Sequence, residues 1–112
     1  MNIQIFGTKK CFDTKKAERY FKERKIKYQF IDLKEKGLSK GELNSVKAAV
    51  GLENLINIKA KKYKALNLDK IRTASVKEEI LLNNQEVLVT PVVRNGKAAT
   101  CGYKPEVWKE WE

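Results

Sequence analysis

The stretch NIQIFGTKKCFDTKKAERYF, residues 2–21, contains the turn from the first predicted strand to the first predicted helix. Residues 2–6 alternate apolar and polar side chains, which is typical of a half-buried strand. Gly7 interrupts that alternation, and apolar residues at helical spacing then predict a helix over residues 14–25. Cys11 lies between the two elements, outside any apolar pattern, so packing alone does not explain it.

Four lysines surround this cysteine in the sequence: Lys9, Lys10, Lys15 and Lys16. Asp13 or Thr14 is the predicted cap of the helix that follows. The first turn of a helix has unpaired N–H groups and about half a positive charge, and both lower the pKa of a cysteine placed there. The same N–H groups form an anion site. Two interpretations of Cys11 therefore stay open, an incidental surface thiol and a nucleophile that needs no general base.

The composition limits the class of protein. The chain has 112 residues, of which 42% are hydrophobic, so we expect one domain with its own core. It has no histidine, which excludes histidine metal ligands and Ser-His or Cys-His catalysis. Two distant cysteines fit neither a disulfide framework nor a zinc site, so no metal is expected. Without an apolar stretch of membrane-helix length or a signal peptide, a cytoplasmic protein with free thiols and no membrane contact is expected.

The formal net charge is +10, from 24 lysines and arginines against 14 aspartates and glutamates. Such an excess attracts anions and can support salt-sensitive binding to nucleic acid. The lysines are interleaved with glutamates along the whole chain. Two interpretations therefore stay open, a generally basic surface and a dedicated polyanion site.

The chain returns to a strand after the first helix. Residues 27–33 predict the second strand, which the intervening helix makes parallel to the first. Ser39 and Glu42 then have the spacing of a capping box, and a helix is predicted from there to Val50. Gly51 is its predicted end.

The second half of the chain predicts further helices and a hairpin. A short helix is expected near residues 60–66, and Ser75 with Glu78 repeats the capping-box spacing at the start of another. A strand, a turn at Asn95–Gly96 and an antiparallel second strand are predicted from QEVLVTPVVRNGKAATCGY. Pro105 fits the first turn of a last helix.

This order of elements predicts an α/β fold with a four-stranded mixed sheet. Two parallel strands and a C-terminal hairpin form the sheet, and helices pack on it. Residues 1–112 are expected to form a single domain with a helical insertion at about 39–84. The aromatic residues expected in the core are Tyr20, Phe21, Phe30 and Trp108.

A proline interrupts the apolar run at the start of the third strand. Proline is disfavoured inside a central strand, since it has no N–H for the ladder, and is tolerated at the first residue. In the predicted mixed sheet, the start of the third strand lies beside the end of the first. We therefore expect Pro91, which follows Thr90, to face Cys11.

Taken together, these segments resemble the arsenate reductase-like family of the thioredoxin fold, which also includes Spx-type transcription regulators. The resemblance covers nearly the whole chain. It depends on four segments: IFGTKKCFDTKKAERYF, KYQFIDLKEKGLS, GLENLINIKAKKYKAL and VTPVVRNGKAATCGYKPEVW. No single segment is specific, but the four together are.

The resemblance implies a thioredoxin-like fold and assigns roles to individual residues. The cysteine at the position of Cys11 is the nucleophile of the family, and the proline at the position of Pro91 is cis and shapes the wall of the site. Lys59 occupies the position where the family usually has an arginine. The predicted substrate-binding residues are Lys59, Thr90, Pro91, Lys10 and Thr14.

The chain departs from the family pattern in ways that affect the chemistry. Thr14 stands three residues after Cys11, so the C-x-x-C pair of some members is absent. Many arsenate-reducing members have an arginine directly before the cis-proline, where this chain has Thr90. A lysine in place of an arginine at position 59 keeps the charge but loses the bidentate fork.

The function implied is a thiol-dependent oxidoreductase of the arsenate reductase or glutaredoxin-like type. One nucleophilic cysteine acts on an oxyanion or a mixed disulfide, no cofactor is bound, and an external thiol such as glutathione is the reductant. Cys101 is expected about two strand spacings from Cys11, roughly 10 Å, which exceeds the reach of a disulfide. The alternative is an Spx-like regulatory protein that binds RNA polymerase. A monomer is expected in either case.

Overall fold

The structure is a computed structural model that describes all residues, 1–112. It has four strands and six α-helices, and short 3₁₀ turns at 85–87 and 109–111. The elements are β1 (Ile3–Gly7), α1 (Phe12–Glu23), β2 (Tyr28–Asp32), α2 (Lys40–Val50), α3 (Leu52–Leu55), α4 (Lys61–Ala65), α5 (Ala74–Asn83), β3 (Val92–Asn95), β4 (Ala98–Cys101) and α6 (Pro105–Trp108).

The sheet has the order β2-β1-β3-β4, as the sequence predicted for a mixed sheet with a C-terminal hairpin. β1 is parallel to β2 and antiparallel to β3, and β3 is antiparallel to β4. In the β1–β3 register, Phe6 lies opposite Val92. The end of β1 and the start of β3 therefore lie side by side at the same end of the two central strands.

Apolar side chains cover both faces of this sheet in two clusters. One contains Ile3, Ile5 and Val93 together with α1 and Trp108. The other contains Phe6 and Val92 together with residues of the segment from α2 to the turn at 85–87. Neighbouring residues of one strand belong to opposite clusters, as the period of two in a strand requires.

Three of the four aromatic residues expected in the core are fully packed: Tyr20, Phe21 and Trp108 are buried, whereas Phe30 is half-buried against them. The Trp108 indole N–H donates to Thr100 Oγ1 at 2.8 Å, so the buried polar atom has a partner. Pro105 is at the first position of α6, as predicted.

Most helix boundaries follow the predicted signals. The capping box of Ser39 and Glu42 is formed in both directions, and Gly51, with φ of 89°, ends α2. The predicted capping box at Ser75 is wrong, because α5 begins at Ala74 with Thr73 as its cap. Ser75 is thus inside the helix.

Three further boundaries differ from the prediction. α1 is capped by Cys11 and not by Asp13 or Thr14, so it begins two residues earlier than predicted. The helix α3 was not predicted at all. In the hairpin the two turn residues are Gly96 and Lys97, with Asn95 and Ala98 paired.

The predicted strand that starts at Gln85 is the largest error. Residues 85–87 form a 3₁₀ turn, and β3 begins only at Val92. Between them the chain makes a single bridge, from Leu88 to Ile56. The Gln85 side chain explains the turn, since it accepts from the Leu38 N–H at 2.6 Å and donates to the Leu38 carbonyl at 2.8 Å.

Candidate active site around Cys11

Cys11 is the N-cap residue of α1, directly after the turn that leaves β1. Its backbone is extended, with φ of −83° and ψ of 120°. Its N–H donates to the Thr8 carbonyl at 3.2 Å, and its carbonyl accepts from the Lys15 N–H at 3.2 Å. The first turn of a twelve-residue helix therefore opens at this cysteine, which is half-buried and carries a free thiol.

Thr90 approaches the same sulfur from the other side of the site. Its hydroxyl Oγ1 donates to Cys11 Sγ at 3.1 Å, and its carbonyl lies 3.8 Å from the sulfur as an acceptor. The peptide bond between Thr90 and Pro91 is cis, and Pro91 is buried. The β1–β3 register makes this contact possible, because Pro91 directly precedes the residue that pairs with Phe6.

These contacts lower the pKa of Cys11. Partial burial raises the pKa, but hydrogen bonds from the side chains of Thr14 and Thr90 and from the backbone N–H groups of Thr14 and Asp13 outweigh it. The net result is a pKa below the ordinary value of a cysteine thiol. The pKa is thus lowered by hydrogen bonds to the sulfur, and no lysine is among the causes.

Thr14 is fully buried one helical turn after Cys11. Its hydroxyl lies close enough to the Cys11 sulfur to lower the pKa, but it is less well aligned than the Thr90 hydroxyl. A Cβ at Gly7 would overlap the Thr14 hydroxyl and lie 2.6 Å from its Cγ2. The glycine therefore allows the helix start to approach the end of β1.

The lysines near Cys11 surround the site without touching the sulfur. Lys9 and Lys10 are exposed and make no ion pair. Lys15 Nζ lies 5.8 Å from the centre of the Phe12 ring. Lys16 Nζ lies 5.6 Å from the centre of the Tyr103 ring. The substrate-binding role of Lys10 stays a prediction.

Lys59 is exposed in the turn before α4, and its ammonium group makes no hydrogen bond or ion pair. Its backbone N–H donates to Asn57 Oδ1 at 3.0 Å. The segment that leads to it is anchored by hydrogen bonds from the Asn57 N–H to the Val87 carbonyl and from the Val89 N–H to the Leu55 carbonyl, both 2.8 Å. No contact joins Lys59 to Cys11, so its role also stays a prediction.

A half-buried arginine of β3 is occupied elsewhere in the fold. Arg94 donates to Gln4 Oε1 at 2.9 Å and to Ser45 Oγ at 3.5 Å. Its guanidinium also lies 3.6 Å from a carboxylate oxygen of Glu42. These bonds tie the sheet to α2, and none of them reaches Cys11.

Cys101 has a different environment at the end of β4. It lies opposite Val92 in the register, one strand further from Cys11 than β3. Its thiol lies 3.3 Å from the Asn54 carbonyl. Burial raises the pKa of Cys101, and the nearby Lys104 lowers it less. Cys101 is therefore a half-buried thiol that favours the protonated form.

A cleft of about 610 Å³ lies beside the Cys11 site. Asp13, two residues after Cys11, and Val89, next to Thr90, belong to its wall. Cys101 and Tyr103 form another part. Asn54 of α3 also belongs to the wall of the cleft. This position could not be predicted from the sequence, because it depends on the bridge between Ile56 and Leu88.

No group of three or more cysteine, aspartate or glutamate side chains is arranged to hold a metal ion. In addition, no helix combines the length and apolar character needed to cross a bilayer.

Known proteins are similar to this chain over nearly its whole length. The uncharacterized protein YusI of Bacillus subtilis (strain 168) is 27% identical over 115 residues, which is 98% of each sequence. An arsenate reductase (ArsC) related protein from Brucella melitensis is 26% identical with a TM-score of 0.72, over 99% of this chain and 94% of that one. The arsenate reductase from Vibrio cholerae shares the fold, with a TM-score of 0.87, 22% identity and coverage of 98% and 97%.

The ArsC family model matches residues 6–111, a range that includes Cys11, Thr90 and Pro91. The strand order β2-β1-β3-β4, with helices on both faces, is that of a thioredoxin-like sheet. The chain therefore belongs to the ArsC family and has a thioredoxin-like fold.

Proposed function

We propose that this protein is a thiol-dependent oxidoreductase in which Cys11 is the only nucleophile and a mixed disulfide is the substrate. The observation that carries the proposal is the position of Cys11 at the N-cap of α1, with the Thr90 hydroxyl 3.1 Å from its sulfur. Membership of the ArsC family supports thiol redox chemistry at this position.

The reaction follows from the state of the sulfur. With its pKa lowered, Cys11 has a larger thiolate fraction at neutral pH than an ordinary cysteine, and the thiolate is the attacking form. It attacks one sulfur of the mixed disulfide, the S–S bond breaks, and a new disulfide forms on Cys11 while the other thiolate leaves. An external thiol then attacks this disulfide and returns Cys11 to its thiolate form.

The external thiol is required because the helix offers no second cysteine. Thr14 occupies the position three residues after Cys11, where the C-x-x-C members have their resolving thiol. Cys101 is separated from Cys11 by the whole of β3, and its pKa is raised. A small thiol from solution, such as glutathione, is therefore the reductant.

The lack of an available arginine near Cys11 argues against arsenate, and therefore for a disulfide, as the substrate. A bidentate guanidinium is the side chain best suited to hold an oxyanion, and this site has none. Thr90 stands before the cis-proline, and Arg94 is held by Gln4, Ser45 and Glu42. The N–H groups at the start of α1 remain as anion donors, but they are already close to the sulfur.

Reduction of hydroxyethyl disulfide by glutathione tests this function directly. We expect turnover with the wild-type protein and a loss on the order of a thousandfold or more in Cys11→Ser, since removal of a nucleophile affects every later step. Cys101→Ser is the matched control and should stay within about twofold of wild type. Full activity of Cys11→Ser, or turnover of arsenate alone, would contradict the proposal.

The regulatory alternative has its own measurement. Binding of RNA polymerase is implied only by the resemblance to Spx-type proteins, and no contact in the structure favours it. A pull-down of RNA polymerase by the wild-type chain and by Cys11→Ser is the experiment that would support it.

A further inference from the structure

Large apolar side chains are exposed near Cys11. Phe12 directly follows Cys11 and is 77% exposed, although it is in the first turn of α1. Tyr103 and Val107 are also exposed, and both belong to the wall of the cleft beside the site. Half of the six exposed large apolar residues of the chain thus lie at or next to this site.

The two exposed aromatic rings, those of Phe12 and Tyr103, each lie next to a lysine of α1. Lys15 of α1 is positioned over the Phe12 ring, and Lys16 of α1 over the Tyr103 ring. Phe12 is not part of the cleft wall, whereas Tyr103 is. The apolar surface therefore extends beyond the cleft, over a wider area than a small ligand in the cleft would cover. We use the name docking surface for Phe12, Tyr103, Val107 and the cleft.

The charges around the docking surface have mostly one sign. Four exposed lysines there have no carboxylate partner: Lys9, Lys10, Lys15 and Lys104. Lys16 is paired with Asp13, an acidic residue of the cleft wall, and its Nζ lies 4.0 Å from Asp13 Oδ1. Unpaired cations around an exposed apolar patch attract a partner that carries negative charge next to apolar side chains.

We propose that the docking surface binds an acidic polypeptide segment whose cysteine carries a mixed disulfide with a small thiol. The idea rests on the proposed function, because it names the substrate of the same cysteine. The Cys11 thiolate attacks the small-thiol sulfur, the S–S bond of the substrate breaks, and the polypeptide leaves as a thiolate that takes a proton from solvent. A free small thiol then attacks the disulfide on Cys11, which releases a symmetric small disulfide and the Cys11 thiolate.

Binding is tested first without any chemistry. Two fluorescein-labelled twelve-residue peptides differ only in their flanks, glutamates in one and lysines in the other, around a central serine in place of the cysteine and two leucines. We expect the acidic peptide to bind at least about tenfold more tightly by anisotropy, with an advantage that falls as salt is raised. Equal affinity of the two peptides overturns the proposal.

Phe12→Ala tests the apolar part of the docking surface. We expect it to weaken binding of the acidic peptide by about fivefold. Val76→Ala, which truncates an exposed apolar residue of α5 away from the surface, is the matched control and should leave the affinity unchanged. Equal loss in the two variants, or no loss in Phe12→Ala, overturns the assignment.

Turnover separates this inference from the proposed function. With the cysteine-containing peptides as glutathione mixed disulfides, we expect kcat/KM to favour the acidic peptide and to fall in Phe12→Ala, while reduction of hydroxyethyl disulfide stays unchanged. Selective binding without any disulfide turnover would leave the docking surface standing and reject the proposed function. Turnover of the small disulfide with no preference between peptides would do the reverse.

Discussion

The two thiols of this chain lie in neighbouring parts of one molecule and differ in almost every physical respect. Cys11 begins a helix, has a threonine hydroxyl 3.1 Å from its sulfur, and has a lowered pKa. Cys101 ends a strand, lies next to a backbone carbonyl, and has a raised pKa. Burial raises the pKa of both thiols, but only Cys11 has hydrogen-bond donors that outweigh it, and these donors separate the two.

The sharpest test of this comparison is competition between the two thiols for one alkylating reagent. At pH 7 we expect Cys11 to react on the order of ten- to a hundredfold faster than Cys101, because the thiolate is the reactive form and Cys101 is also more enclosed. Brief exposure to iodoacetamide followed by mass spectrometry of the peptides measures the ratio. Faster labelling of Cys101 would reverse the assignment of the nucleophile.

A second experiment disturbs only the Cys11 region. Gly7→Ala places a Cβ against Thr14, so β1 and α1 must move apart. We expect a loss of about 1–2 kcal/mol in the free energy of unfolding, measured in urea, and slower alkylation of Cys11.

The matched control for this change is Gly41→Ala. Gly41 is inside α2 with no atom near its Cβ position, so we expect equal or slightly greater stability and no change in alkylation. A Gly7→Ala variant as stable and as reactive as wild type would mean that the helix start does not depend on this close approach.

Two threonines can separate the reactivity of Cys11 from the stability of the fold. Thr90→Val removes the hydroxyl beside Cys11 Sγ, so we expect a rise in the Cys11 pKa and alkylation slower by a factor of a few at pH 7. Thr100→Val instead removes the acceptor of the buried Trp108 N–H, which should cost about 1 kcal/mol of stability. Alkylation of Cys11 should be unchanged there.

The smallest expected effect is a difference in pH dependence. The pKa of Cys11 is lowered on folding, so its contribution to stability is full above the unfolded thiol pKa, about 8.5, and is lost as the pH falls through the folded value. The pKa of Cys101 is raised, so its contribution is full below the unfolded pKa and is lost as the pH rises through the folded value.

Unfolding in urea between about pH 6 and pH 10 measures both contributions. We expect the stability of wild type relative to Cys11→Ser to grow as the pH rises over this range, and the stability relative to Cys101→Ser to shrink. Parallel curves for the two serine variants would show that the two thiols do not differ in the folded chain.

Local sequence signals predicted the frame of the fold. The capping box of Ser39 and Glu42 and Pro105 at the start of α6 depend on neighbouring residues, and both were confirmed. The antiparallel hairpin was confirmed too, with its turn one residue later than predicted. The prediction of a strand from Gln85 was wrong, because a contact with a residue distant in the sequence determines the conformation of that segment. The Gln85 amide pairs with Leu38, and an apolar run alone does not distinguish that arrangement from a strand.

The same division applies to the candidate site. The change from strand to helix placed Cys11 at a helix start, and the predicted sheet brought the segment of Thr90 next to it. No local pattern encodes side-chain positions. The sequence therefore could not predict the hydrogen bond from the Thr90 hydroxyl to Cys11, or the cleft that has Cys101 in its wall. Four lysines lie near Cys11 in the sequence, but hydrogen bonds account for its lowered pKa.

The hydrogen bond from the Gly102 N–H to the Pro91 carbonyl, 2.9 Å long, continues the β3–β4 ladder past its last residue pair. Thr90, which contacts the Cys11 sulfur, directly precedes Pro91, and Cys101 directly precedes Gly102. The backbone of one hairpin therefore positions the surroundings of both thiols.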